Sequence, residues 1–281
     1  MVGRGRVLRR HELSDAEWEF VRPLLPLSLR RRKRLDDRTV LNGIVWKFRT
    51  GVAWRDVPER YGPWATLHTR FRRWALDGTF ERMLRAARAK ADAAGGTDWL
   101  VSVDSTAVRA HQHAAGARKG GLRSPALGRS RGGPTSRIHL ACDALGRPRA
   151  FTVTGGNTDG CTQFTAVMDA IRVPRLGLGR PRIRRGHVLG DKGYSSEAVR
   201  AWLGQRGVGH TIPERTDRIR NRLRRGSRGG RPPAFDKQLC KQRNVVERCF
   251  NRLKQWRDIA TRHDKTAESY QAAVALASLL M

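Results

Sequence analysis

The chain has 281 residues, with 57 Lys+Arg against 25 Asp+Glu and a formal net charge of +32. Such charge opposes compaction unless an anionic partner is bound, yet 39% hydrophobic content and eight Trp argue for a packed core rather than disorder. No apolar run is long enough for a bilayer, the basic N-terminal stretch leads into a polar helix start rather than a secretory signal, and four cysteines without a CxxC pair disfavour a zinc ribbon or disulfide framework.

These properties point to a soluble cytoplasmic protein whose polyanionic partner is nucleic acid. Only nine of the basic residues are Lys. A GC-rich genome alone would favour Arg, so the few acids in ordered, apolar contexts are the sharper signal.

Ser14-Asp15-Ala16-Glu17 has the form of a capping box, opening a helix with Trp18, Val21 and Leu25 on one side and Pro26 at its end. Arg30–Arg34 reads as a solvated basic connector. Asp37 is placed to cap a second helix carrying Val40, Ile44, Val45 and Phe48, with Gly51 as its stop. A loop rich in Pro and aromatics, Trp54–Pro63, precedes a third helix from Thr66, and a fourth runs from Phe80 to Ala94. Arg70, Arg72 and Arg73 give the third helix a basic face, which suits a helix-turn-helix-like DNA reader or a face turned to water. Trp54 and Trp64 are expected in the helical core rather than as base-stacking platforms.

The periodicity changes at Asp98. Trp99–Val103, Ser136–Cys142, Ala150–Thr154, His187–Gly190 and Val208–Ile212 read as strands, and Cys161–Ile171 and Ser195–Leu203 as helices. Residues 213–236, with eight Arg and one acid between Arg215 and Arg231, read as a mobile basic loop. Helices resume over Gln238–Arg257 and from Ala267 to the C-terminus. The expectation is a small all-α helix-turn-helix-like domain over 1–96, then an α/β domain with a mixed sheet over 97–281.

Asp104 directly follows the run WLVSV, and Asp191 directly follows HVLG. An Asp at the end of a buried strand points into the crevice where α/β sheets place ligands. One alone is commonplace as a turn former; two suggest a hard divalent cation such as Mg²⁺. In a helix containing Glu247, residues Arg243, Glu247, Asn251 and Lys254 share one face, beside an apolar stripe of Val246, Phe250 and Leu253. Spacing alone favours a surface Arg243–Glu247 ion pair of little energetic value. Together with the two Asp residues and the charge of +32, the Glu fits two-metal phosphoryl transfer, with Arg243 and Lys254 holding phosphates or balancing charge.

The chain resembles bacterial insertion-sequence transposases with an Asp-Asp-Glu triad, nearest insertion sequence family five. The likeness is carried by LSDAEWEFVRPLLP and LNGIVWKFRTGVAWRDVPERYGPWATLHTRFRRW in the N-terminal part. It continues in DWLVSVDSTAVRAHQHAAGARKG, GRSRGGPTSRIHLACDALGRP, LGDKGYSS and RNVVERCFNRLKQWRDIATRHDK. The family signature around the Glu is Tyr, two residues, Arg, three residues, Glu, six residues, Lys. Arg243, Glu247 and Lys254 match it, and Cys240 replaces the Tyr.

The resemblance implies a ribonuclease-H-like catalytic domain, with Asp104 on the first strand, Asp191 near the end of the fourth and Glu247 on a later helix. It implies that these three bind two Mg²⁺, with Mn²⁺ able to substitute, hydrolyse DNA at terminal inverted repeats and transfer the freed 3′-hydroxyls to target DNA. It also implies action as a homodimer or higher assembly on double-stranded DNA, at the nucleoid. An inactive DNA-binding regulator descended from a transposase is the alternative, and a basic RNA-binding protein a weaker one.

Lys192 and Tyr194 are expected near DNA or packed under the turn. His111 and His113 are expected to meet DNA or solvent rather than metal. Ser105 and Thr106 lack a nucleophile elbow, and GRSRGG lacks the Gly-Lys-Ser/Thr ending of a P-loop.

Overall fold

A computed structural model of the chain describes residues 9–27, 34–96, 99–115, 126–183 and 186–281. Of the Arg30–Arg34 run, only Arg34 lies within them. The chain forms two compact units that do not follow a single cut between 96 and 97. One gathers the described residues within Met1–Ala87, His111–Arg123 and Leu253–Met281; the other gathers those within Arg88–Ala110 and Ser124–Arg252.

In the first unit, helix α1 (Asp15–Val21) opens on the expected capping box: Ser14 Oγ accepts the Glu17 N–H, and the Ser14 N–H donates back to Glu17 at 2.7 Å. Helix α2 (Asp37–Thr50) is capped by Asp36, one residue earlier than expected, whose carboxylate accepts the Thr39 N–H at 2.9 Å. Asp37 is thereby freed to pair with Arg34 and Arg70. Gly51 ends α2 in the left-handed conformation, φ 74°.

Helix α3 (Trp64–Leu76) starts directly after Pro63, two residues before Thr66, and α4 spans Thr79–Ala93. The core of this unit is aromatic, and Trp54 joins it as expected. Phe48 and Phe71 lie 4.8 Å apart, Phe71 and Phe80 5.6 Å, and Trp54 lies 5.6 Å from Phe71. Trp64 departs from expectation: it is exposed, with Arg55 over its ring. A short helix α5 (Gln112–Ala115) also belongs to this unit.

The second unit is built on a mixed sheet. Its strands are β1 (Leu100–Ala110), β3 (Gly133–Cys142), β4 (Pro148–Gly155), β5 (His187–Gly190) and β6 (Gly209–Thr211), with β2 (Gly128–Ser130) paired to the start of β3. In space they run β4–β3–β1–β5–β6: the first three are antiparallel, and β5 and β6 are added parallel to β1. Helix α6 (Phe164–Asp169) crosses between β4 and β5, and α7 (Glu197–Gln205) between β5 and β6, as parallel pairing requires. Val101, Val103, Val188, Phe164, Val167, Met168, Val199 and Leu203 close one face of the sheet as a continuous core. This is the α/β ribonuclease-H-like arrangement expected, with the second Asp after the fifth strand in chain order because β2 intervenes.

Two expectations are corrected. Within the basic segment 213–236, residues Thr216–Arg224 form helix α8, followed by a 3₁₀ turn over Gly226–Gly229. Arg is a good helix former, and an Arg222–Glu214 ion pair at 2.7 Å ties α8 back to the preceding chain. The helix expected over Gln238–Arg257 is divided into α9 (Lys237–Gln242), α10 (Asn244–Lys254) and α11 (Arg257–Ala260), with breaks at Arg243 and after Lys254. The final helix, α12 (Ala267–Leu279), is buried along most of its length and packs on α3.

Candidate active site

Strand β1 does not stop at Val103. It continues through Asp104 to Ala110 because β3 pairs with it as far as Arg109–Thr135. What ends at Val103 is the parallel partner: Val103 is opposite Gly190, the last residue of β5. Asp104 and Asp191 are therefore the next residues on two adjacent parallel strands, released at the same level of the sheet.

Each Asp is fixed by its own backbone. Asp104 Oδ1 accepts the Ser105 N–H at 2.7 Å. Asp191 caps the 3₁₀ turn Lys192–Tyr194, and its Oδ1 accepts the Gly193 N–H at 2.8 Å. A Cβ at Gly193 would stand 2.8 Å from Asp191 Oδ1 and push the carboxylate aside, so the glycine of GDKGY is a site residue that sequence reasoning passed over. The signal available was its place two residues after the Asp.

Glu247 lies on α10, whose Val245, Val246, Cys249 and Phe250 are buried while Glu247 itself is exposed. Arg243 joins it to the strand carboxylate. Its Nη2 donates to Glu247 Oε1 at 2.6 Å and its Nη1 to Asp104 Oδ2 at 3.2 Å. The i,i+4 pair inferred from spacing exists, but it is half of a three-residue bridge.

Burial raises the Asp104 pKa, with the charges of Asp191 and Glu247 adding to it and the Ser105 N–H and Arg243 opposing. Burial disfavours the Arg243 charge, but the hydrogen bond and charge of Glu247, then Asp104 and Asp191, outweigh it and raise the Arg243 pKa. Tyr194 is 3% exposed and packs into the sheet core under the turn; burial, then the Asp104 charge, push its hydroxyl pKa up.

The remaining candidates divide. Lys192 is exposed beside Asp191, and Lys254, half-buried, ends α10. Arg72 and Arg73 are exposed on α3. Arg70 differs from them: it is 8% exposed, paired with Asp37 and set against the Trp74 ring. Cys240 is half-buried one turn before Arg243. His113 is exposed and His111 partly so, with ring centroids 4.5 Å apart and His263 4.7 Å from His111.

Among the described residues, no three His, Cys, Asp or Glu side chains are placed to hold one metal ion. The donor chemistry of Asp104, Asp191 and Glu247 nonetheless fits a hard divalent cation: three carboxylates, the two Asp at adjacent strand positions, and a single guanidinium shared by Asp104 and Glu247. Among the described residues, no helix is long and apolar enough to cross a membrane.

Comparison with known proteins agrees with this geometry. Residues 13–84 match the family model for transposases of the IS4/5 family, and residues 95–281 match that of the transposase DDE domain. A protein named as the transposase of insertion sequence element IS6501 of Brucella ovis is 28% identical over 147 residues, 52% of this chain and 97% of that protein. One named for IS402 of Burkholderia cepacia is 33% identical over 148 residues, 53% of this chain and 63% of that protein. An uncharacterised protein of Sinorhizobium fredii is 41% identical over 109 residues, 38% of this chain and 83% of that protein. No solved structure matches the chain. With the DDE domain covering more than half its length, over the strands and helix that carry the three carboxylates, the chain belongs to the DDE-domain transposases, enzymes that act on DNA.

Proposed function

We propose that Asp104, Asp191 and Glu247 are the catalytic triad of an insertion-sequence transposase. It hydrolyses the phosphodiester at each terminal inverted repeat and then joins the freed 3′-hydroxyl to target DNA. The observation that carries this reading is the register of β1 and β5, which sets Asp104 and Asp191 side by side, with Glu247 sharing a guanidinium with Asp104.

The three carboxylates would hold two Mg²⁺ ions, or Mn²⁺ in their place. When bound, such ions activate the attacking oxygen and stabilise the leaving one. The residues of the chain do the rest. The Ser105 and Gly193 N–H groups fix the two Asp carboxylates in orientation, so little reorganisation is needed at the moment of reaction. Lys192, Arg243 and Lys254 supply positive charge for the phosphates flanking the cut. In hydrolysis, water oxygen bonds to phosphorus, the 3′-oxygen leaves and takes a proton. In strand transfer that 3′-hydroxyl is the nucleophile, loses its proton, and displaces the next 3′-oxygen. Both steps are phosphoryl transfers with no covalent enzyme–DNA species.

Arg72, Arg73 and the arginines of α8 would grip double-stranded DNA through its phosphates. The protein would work as a homodimer or higher assembly on paired ends, in the cytoplasm at the nucleoid. A DNA-binding regulator without activity would gain support from carboxylates too far apart to share metals or from a Glu247 turned away from the Asp pair; the Asp104–Arg243–Glu247 bridge speaks against the second.

The test is cleavage of a supercoiled plasmid carrying the element's ends. Asp104→Asn, Asp191→Asn and Glu247→Gln should each abolish divalent-dependent cutting while end-binding in a gel shift survives. Wild-type cutting that persists in excess chelator would remove the metal mechanism.

A further inference from the structure

We propose that Arg243 is a movable counter-ion of the carboxylate site. It neutralises Asp104 and Glu247 while the protein is free of DNA, and DNA phosphate draws it away so that the carboxylates become available to a divalent cation. This rests on the reading of Asp104, Asp191 and Glu247 as the metal-holding triad.

Three observations carry it. First, the guanidinium is split: Nη1 reaches Asp104 at 3.2 Å and Nη2 reaches Glu247 at 2.6 Å, two single hydrogen bonds to two groups 143 positions apart in the chain. A fork closed on one carboxylate would hold more tightly. The bond to Glu247 is not what holds its helix, since Glu247 is 51% exposed and the helix is anchored by the adjacent buried stripe of Val246, Cys249 and Phe250.

Second, Arg243 is placed to move. It stands at the break between α9 and α10, joined to the preceding turn by a 3.2 Å bond from its N–H to the Cys240 carbonyl. Its side chain is 22% exposed, enough for the guanidinium to reach solvent without unpacking the helix.

Third, the guanidinium stands where a divalent cation would need carboxylate oxygen. While it bridges Asp104 and Glu247, no three acidic side chains among the described residues converge on one point. A surface ion pair accounts for the Glu247 contact alone; it does not account for the arm to Asp104. Arginine suits the exchange because its planar donors fit phosphate oxygens as well as carboxylate ones, and it keeps its charge in both positions.

The test is Mn²⁺ binding to the full-length protein, read by the electron paramagnetic resonance signal of free Mn²⁺, with and without a short DNA duplex. Without DNA, Arg243→Met should bind Mn²⁺ about tenfold or more tightly than wild type, because a like charge beside the ion has gone while the stem remains. Arg243→Lys, which keeps the charge, should stay near wild type. The duplex should tighten Mn²⁺ binding to wild type severalfold and leave Arg243→Met unchanged. Equal or weaker binding by Arg243→Met, or a duplex that helps both proteins alike, overturns the proposal. Asp104→Asn separates the two readings. If it binds Mn²⁺ as wild type does, the triad is not the metal site. If it loses Mn²⁺ while Arg243→Met gains nothing, only the counter-ion role fails. Should Arg243→Met not give a native circular dichroism spectrum, Arg243→Gln takes its place with the same expected gain.

Discussion

Replacing Lys47 by Met should destabilise the protein severely although it touches no carboxylate of the triad. Lys47 Nζ lies 2.5 Å from Asp258 Oδ2, with the two side chains 3% and 1% exposed. The ammonium also stands 4.4 Å from the Phe48 ring centroid and 5.1 Å from that of Trp54. Removing one partner of a buried pair leaves the other as an uncompensated charge, at a cost of about 3–5 kcal/mol. His263 Nδ1 lies 2.9 Å from the other Asp258 oxygen and leaves that carboxylate a polar neighbour, so the lower end of that range is expected. At ~2–4 °C per kcal/mol for a chain of this size, Tm should fall by on the order of 10 °C. Urea unfolding and thermal melting at pH 7, followed by circular dichroism, would measure both. The double variant Lys47→Met/Asp258→Leu should regain most of the loss, because an apolar pair of similar volume carries no stranded charge. A single variant within about 1 kcal/mol of wild type, or a double variant no better than the single, would refute the reasoning.

Asp264 sets a pH dependence of stability. Burial pushes its carboxyl from the ordinary 3.8 up to about 6, so between those values the native state keeps a proton that the unfolded state has released. Stability from this group is therefore full below about pH 4 and lost as pH rises to about 6, by about 3 kcal/mol; Asp264→Asn should flatten that slope in urea titrations. Two helix arginines should separate by phenotype. Arg70→Ala should lower stability by about 1–2 kcal/mol, since Asp37 loses its buried partner but keeps Arg34, with little change in the salt dependence of DNA binding. Arg72→Ala/Arg73→Ala should leave the melt unchanged and reduce the slope of log K against log salt by about 2, if both touch phosphate. Gly193→Ala should cut cleavage more than it cuts stability, because its methyl group meets the Asp191 carboxylate rather than the core.

Much of the site was readable before any coordinates, and for a physical reason. Asp104 and Asp191 stand out because each follows a short apolar run, and buried parallel strands demand such runs. Glu247 was weaker: helical spacing alone made it an ordinary surface pair with Arg243, and only its combination with the two strand-end Asp, and then the family likeness, lifted it above that. The bond from Arg243 to Asp104 spans 139 positions and leaves no local trace.

The same limit hid the length of β1. The stretch after Asp104 is polar and unremarkable, and it is a strand only because β3 lies beside it. Arg70 looked like its neighbours Arg72 and Arg73; what distinguishes it is Asp37, 33 residues away. The helical character of Thr216–Arg224 was masked by its charge, since a run of arginines resembles a solvated loop in composition while having good helix propensity. The grouping of the last helices with the first is likewise a contact between chain ends, which no window of sequence contains.

The register of Val103 against Gly190 makes the separation of the Asp pair a backbone quantity. Neighbouring strands are about 4.8 Å apart whatever side chains they carry. Repacking of the core by substitution leaves that interval in place, and only a slip in the hydrogen-bond register of one strand, which would turn its carboxylate away from the other, can abolish it. The spacing of the Asp pair is thus ruled by the sheet itself. Glu247, on a separate helix and joined to Asp104 only through Arg243, is the one of the three proposed catalytic carboxylates whose distance side chains can adjust.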